Sequence, residues 1–156
     1  MKIFIIGSNS FMGTSLISYL INNFKDKNIK IYGCSRSSKN HDFQINNIKK
    51  DFVFYKIDIN KNTDDLIKIL KVIKPNIIFN FAAQSIVEYS WKKPIHWFNT
   101  NLISNIKFLE YLKNVDYLDK YFQSSTPEVY GSTTKKISES FFYTPSTPYA
   151  TSKSSI

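Results

Sequence analysis

Two side chains near the end of the sequence, Tyr149 and Lys153 in Tyr149-Ala150-Thr151-Ser152-Lys153, are of types that move protons. Residues four apart share one face of a helix, which brings the lysine ammonium toward the phenol. A neighbouring cation favours the phenolate and makes its oxygen a usable base. Upstream, Ser124-Ser125-Thr126-Pro127-Glu128-Val129-Tyr130-Gly131 offers a hydroxyl at Thr126 and a carboxylate at Glu128. This stretch follows a strand-like segment, and the carboxyl ends of strands in an open α/β sheet are where ligands bind.

A second kind of chemistry lies at the start of the chain. Gly7-Ser8-Asn9-Ser10-Phe11-Met12-Gly13 joins an apolar strand to an amphipathic helix. Such a turn aims backbone N–H groups and the helix dipole at a pyrophosphate. Gly7 permits the turn, and Gly13 lets the helix pack closely. Ser10 stands where a glycine would allow the nearest approach, and its hydroxyl can hydrogen-bond phosphate instead. Phe11 and Met12 fall at the helix N-terminus. Farther on, Gly33-Cys34-Ser35-Arg36-Ser37-Ser38 lacks the acidic residue that binds a ribose 2′-hydroxyl. Arg36, with Ser35 and Ser37, suits a 2′-phosphate, which favours NADP and leaves NAD as the alternative.

These groups need a scaffold, and apolar periodicity supplies one. Strands are expected at Lys2–Ile6, Ile29–Gly33, Phe52–Lys56, Asn76–Phe81 and Lys120–Ser125. Helices are expected at Met12–Phe24, Asp64–Ile73 with Thr63 as N-cap, and Pro94–Asn114 with Pro94 in the first turn. Strands alternating with helices imply an α/β fold, a Rossmann-like doubly wound parallel sheet in three αβα layers. One domain is expected over residues 1–156.

The composition is that of a globular chain, with 42% hydrophobic and 16% aromatic residues. No apolar run approaches the roughly 20 residues of a membrane helix. The single cysteine, Cys34, excludes a disulfide framework, fits a cytoplasmic setting and reads as a packing residue. The net charge of +9 is spread along the chain without a basic helix, so nucleic acid is not an expected partner. A basic surface also suits an anionic sugar diphosphate. His41 and His96 have no companions at metal or triad spacing, and no metal is expected. Trp91, Trp97 and most other aromatics read as core or interface residues.

Taken in order, these motifs resemble the extended short-chain dehydrogenases/reductases of the NAD-dependent epimerase/dehydratase family. The likeness is greatest to GDP-mannose and dTDP-glucose 4,6-dehydratases, and spans Lys2 to Lys153. The resemblance implies that Asp58-Ile59 contacts adenine. It implies that Asn80-Phe81-Ala82-Ala83-Gln84-Ser85 ends a strand whose small residues Ala82 and Ala83, with Gln84, receive the nicotinamide half, with Ser85 near substrate. The stretch at Arg36 is similar to the GxxRRSS of GDP-mannose dehydratases, which use NADP. Asn101 matches a helix asparagine to which no role is assigned.

In those dehydratases, Thr126's counterpart hydrogen-bonds the sugar's 4-hydroxyl region and Glu128's takes the C5 proton. The dTDP-glucose enzymes carry an acidic Asp between them; here it is Pro127, which cannot donate a proton. The implied activity is a lyase reaction on a nucleotide sugar, GDP-mannose above others. A 4-epimerase or UDP-glucuronate decarboxylase of the same family is the near rival, and a non-catalytic dinucleotide sensor the distant one. The resemblance further implies a homodimer or tetramer. It implies a C-terminal substrate domain that these residues lack, so that the chain reads as an N-terminal fragment without turnover of its own.

Overall fold

The segment Lys2–Ile6 is apolar at successive positions because it is covered on both sides. Phe4 and Ile6 enter one core with Cys34, Ile78, Leu66, Leu70 and Phe108; Ile3 and Ile5 enter another with Ile17, Leu20 and Ile31. Alternate strand residues face opposite sides, so a strand buried twice has no polar side to show.

The computed structural model describes residues 1–24, 28–38 and 52–156. Five strands, β1 (Lys2–Ile6), β2 (Lys30–Ser35), β3 (Phe52–Lys56), β4 (Ile77–Asn80) and β5 (Lys120–Gln123), form one parallel sheet in the order β3-β2-β1-β4-β5. The order reverses between β1 and β4, the switch at which such sheets open a crevice at their carboxyl edge. Helix α1 (Phe11–Asn23) covers one face through Ile17 and Leu20. Helix α2 (Thr63–Ile73) covers the other through Leu66, Leu70 and Ile73. The doubly wound α/β sheet expected from the sequence is thus present.

Boundaries differ in instructive ways. β2 runs on to Ser35 because its pairing with β3 continues through Ser35 opposite Lys56. Thr63 is the first residue of α2 and not its cap; Asn62 holds the cap position without a side-chain capping bond, and the Thr63 hydroxyl donates to the Ile59 carbonyl. A hydroxyl that bonds the preceding turn is lost as a cap. The expected helix Pro94–Asn114 is three pieces: α4 (Pro94–Phe98), a π-helical turn (Asn99–Ile103) and α5 (Ser104–Leu112). A short helix α3 (Val87–Lys92), a 3-10 turn (Pro127–Tyr130) and α6 (Pro148–Ser154) complete the chain.

Two compact units emerge. Residues 1–82 and 108–124 form the sheet unit; residues 83–107 and 125–156 form a second unit of short helices. In the second, α6 packs on α3, α4, the π turn and the 3-10 turn. Trp97 is buried in α4, whereas Trp91 on α3 is 63% exposed and is not a core residue. His96 is exposed, and His41 lies outside the described residues. Cys34 is a fully buried core residue, and burial pushes its thiol up from 9.0 to about 12. Among the described residues, no helix is long and apolar enough to cross a membrane.

Candidate active site

The turn after β1 is dictated by backbone crowding. Gly7 has φ +79°, and a Cβ on it would lie 2.6 Å from the Ala82 amide nitrogen and 2.8 Å from the Phe81 carbonyl carbon. Gly13 lies equally close: a Cβ there would meet the Gly7 carbonyl oxygen at 2.5 Å. Neither partner is the movable end of a side chain, so only glycine fits. Ser10 is the N-cap of α1, its Oγ accepting from the Gly13 amide at 3.1 Å. The hydroxyl therefore serves the helix first and keeps its own proton for another acceptor. The Phe11 and Met12 side chains point to solvent, Phe11 83% exposed; their amides have no acceptor among the described residues. No acidic residue occupies the first turn of α1.

Around this turn sit the other strand ends of the sheet unit. Arg36 is exposed just beyond β2. Asp58 follows β3, its Oδ1 accepting from the Asn60 amide at 3.0 Å in the turn that leads to α2. Ile59 buries its side chain in the core beside Leu66 and Leu70. Beyond β4, Ala82 is held from below: the Asn80 carboxamide accepts from the Ala82 amide at 3.1 Å and donates to Tyr121 and Gln123 of β5 at 3.0 and 2.9 Å. Burial pushes the Tyr121 phenol up to about 12.

In the second unit, local sequence explains how Thr126, Glu128, Tyr149 and Lys153 are set. Thr126 caps the 3-10 turn Pro127–Tyr130, its Oγ1 accepting from the Glu128 amide at 3.4 Å. Pro127 fills the first helical position, where a missing N–H costs nothing. Gly131 closes the turn at φ +72°, and a Cβ there would strike the Thr144 carbonyl oxygen at 2.3 Å. The Thr144 amide donates to the Val129 carbonyl at 2.9 Å, and the Thr144 hydroxyl to the Tyr130 carbonyl at 2.6 Å. Thr126 and Glu128 are each partly buried.

Helix α6 is built the same way. Thr147 is its N-cap, Oγ1 accepting from the Ala150 amide at 3.0 Å, and Pro148 is its first residue. Tyr149 and Lys153 therefore sit one turn apart on one helix, 8% and 6% exposed. Burial lowers the Lys153 ammonium below the usual 10.5, since a low-polarity setting disfavours charge. The 3-10 turn of Thr126 and Glu128 packs against this same helix.

Asn101 proves to be the centre of the second unit. Its Oδ1 accepts from the Gln84 amide at 2.8 Å, and its Nδ2 donates to the Gln84 carbonyl at 3.0 Å and the Ser152 hydroxyl at 2.9 Å. Ser152 in turn donates to the Tyr149 carbonyl at 2.7 Å. The π turn that carries Asn101 is kept by side chains: Asn105 Nδ2 donates to the Thr100 and Asn101 carbonyls at 3.1 and 2.8 Å, and Ser104 Oγ to the Asn99 carbonyl at 2.8 Å. Carbonyls released by the wider i→i+5 winding are thereby satisfied.

The sheet unit thus gathers Gly7, Ser10, Phe11, Met12, Gly13, Arg36, Asp58, Ile59 and Ala82, and the helical unit gathers Ala83, Gln84, Ser85, Thr126, Glu128, Tyr149 and Lys153. Ser85 is exposed in the stretch before α3. Sequence reasoning left out Asn9 and Ser152 and gave Asn101 no role. The signal was there in Asn99, Thr100, Asn101, Ser104 and Asn105: five polar residues that favour caps and turns stand inside an apparent helix.

Known proteins share this fold. A family model described as GDP-mannose 4,6 dehydratase matches residues 4–156. A dTDP-glucose 4,6-dehydratase of Haemophilus influenzae is 31% identical over 98% of the chain and 48% of its own length. A UDP-glucose 4-epimerase of Mycoplasma genitalium is 27% identical over 97% of the chain and 45% of its own. The crystal structure of a Bacillus anthracis dTDP-glucose 4,6-dehydratase in complex with NAD superposes with TM-score 0.81 at 28% identity, over 99% of this chain and 47% of that one. The chain therefore spans just under half the length of these relatives. From its glycine turn to its Tyr–Lys helix, the chain belongs to the nucleotide-sugar dehydratase and epimerase family of the extended short-chain dehydrogenases/reductases, the family whose model bears the GDP-mannose 4,6 dehydratase description.

Proposed function

We propose that the intact protein is a nucleotide-sugar 4,6-dehydratase, with GDP-mannose its preferred substrate, and that residues 1–156 are its cofactor-binding part. The observation that supports this reading is the packing of the turn that carries Thr126 and Glu128 on the helix that carries Tyr149 and Lys153, a carboxylate-bearing turn on the helix of the proposed base. A 4-epimerase needs the base alone; removal of a C5 proton needs the second group.

A dinucleotide fits the sheet unit on chemical grounds. The two glycines leave a surface bare of side chains, α1 starts without acidic residues, and its first amides are open to an acceptor. When bound, a nicotinamide cofactor supplies the hydride acceptor for C4 and later the hydride donor for C6. Tyr149 takes the proton of the 4-hydroxyl. Lys153, one turn along the same helix, stabilises the phenolate form, and Thr126 hydrogen-bonds the same sugar oxygen. The 4-ketone acidifies C5, and Glu128 takes that proton. Pro127 has no proton to give, so the proton Glu128 took from C5 is passed to the departing C6 hydroxyl, which leaves as water and regenerates the carboxylate. The sum is loss of one water without net oxidation.

NADP is the cofactor this reading favours, through Arg36 at the end of β2; NAD is the alternative, as bound by the Bacillus anthracis relative. Asp58 and the backbone of Ile59 would border the adenine, and Ser85 the sugar. The exposed faces of α3 and α4, with Trp91 and Ile95, are taken as the contact of a homodimer or tetramer.

The test is incubation of the intact protein with NADP and GDP-mannose. A 4-keto-6-deoxy product is expected, and its absence overturns the substrate assignment. The second reading, a UDP-glucose 4-epimerase, is favoured by the Mycoplasma genitalium relative and by Pro127 in place of an acid. Formation of UDP-galactose from UDP-glucose, without dehydration, would establish it.

A further inference from the structure

We infer that Asn9 is a positioning residue that sets the preference for a 2′-phosphorylated dinucleotide, an inference that rests on the NADP reading above. Asn9 belongs to the glycine turn, yet its bonds reach the end of β2. Its amide donates to Ser35 Oγ at 2.9 Å; its Nδ2 donates to Ser37 Oγ at 3.1 Å, to the Ser38 carbonyl at 2.9 Å and more weakly to the Ser37 carbonyl at 3.4 Å. The segment it holds, Ser35 to Ser38, is the one that carries Arg36.

The direction of these bonds decides the chemistry. A hydroxyl that accepts from N–H keeps its own hydrogen for a different acceptor. Asn9 fills one acceptor position on both Ser35 and Ser37, and each keeps its O–H free to donate to a bound anion. With the Arg36 guanidinium between them in sequence, the segment becomes a set of donors. A phosphate dianion needs donors, whereas a ribose 2′-hydroxyl is bound best by a carboxylate acceptor, which the segment lacks. Holding Arg36's exposed loop in advance also lowers the ordering cost that a ligand would otherwise meet.

Replacing Asn9 by Asp reverses the arrangement. A carboxylate accepts from the Ser37 hydroxyl, turns its hydrogen inward and brings negative charge toward the phosphate position. Dissociation constants for NADP and NAD are measured by titration calorimetry on the intact protein, with thermal melts as the check on folding. The wild type should favour NADP. Asn9→Asp should weaken NADP on the order of tenfold or more while NAD stays within about threefold. Asn9→Ala should weaken NADP by a smaller factor, and should have no further effect on the NADP:NAD ratio in an Arg36→Ala background. An unchanged ratio, or equal weakening of both nucleotides, overturns the role of Asn9. A wild type that binds NAD in preference, or neither nucleotide, overturns the cofactor reading itself and this inference with it.

Discussion

The side chain of Asn101 donates a 2.9 Å hydrogen bond to the hydroxyl of Ser152, which lies between Tyr149 and Lys153 on their helix. The same carboxamide grips both peptide groups of Gln84, so one buried side chain ties the stretch before α3 to the helix of Tyr149 and Lys153. Asn101→Leu, of similar size, removes three bonds and strands the part-buried amide and carbonyl of Gln84. Each such group costs about 1–3 kcal/mol. Urea unfolding should show that loss, and turnover should fall more than cofactor affinity, since the helix of the proposed base loses its anchor.

Tyr149→Phe keeps the ring and its packing but removes the hydroxyl of the proposed base. Turnover should drop on the order of 10² to 10⁴-fold, with cofactor affinity held within about threefold. Single-turnover assays and nucleotide titration separate the two effects; unchanged turnover would remove Tyr149 from the role of base, and a wild type that binds nucleotide without turnover would point to a silent dinucleotide sensor.

Glu128→Gln preserves the backbone amide that Thr126 caps and removes only the ability to take a proton. Oxidation at C4 should persist while dehydration stops. In heavy water, the wild type should incorporate deuterium at C5 of recovered substrate or product, and the variant should not.

Gly7→Ala must place a methyl 2.6 Å from the Ala82 amide, at φ +79°. Its cost should exceed the roughly 1–2 kcal/mol of a left-handed alanine, because backbone and not a side chain is in the way. Thermal melts should show a large fall in Tm, and dinucleotide binding should be lost even where the fold survives.

Cys34 gives the alkaline limit a definite sign. Its folded value of about 12 lies above the ordinary 9.0, so the unfolded chain loses this proton first. The stability it contributes is complete below pH 9 and is lost as pH climbs toward 12. Urea midpoints of wild type, kept reduced, should fall more steeply across that window than those of Cys34→Ala.

Much of the site was legible because its constraints are local. The helix that carries Tyr149 and Lys153 is set by a Thr cap, a first-turn proline and a four-residue spacing, all contiguous. The glycine turn is likewise read directly, since a left-handed residue and a close helix start demand glycine wherever they occur. β1 declares itself buried on both faces by having no polar alternation.

Tertiary structure alone decided the rest. The wide π turn in the segment 94–112 exists because Asn105 and Ser104 satisfy its freed carbonyls, which periodicity cannot register. The meaning of Asn101 depends on Gln84 and Ser152, far away in sequence, and that of Asn9 on Ser37 and Ser38. A carboxamide has donors and an acceptor but no preferred neighbour in the chain; only folding chooses which peptide or hydroxyl it meets. The sequence by itself thus settled the elements and the chemical groups, and long-range hydrogen bonds settled which of those groups hold the others in place.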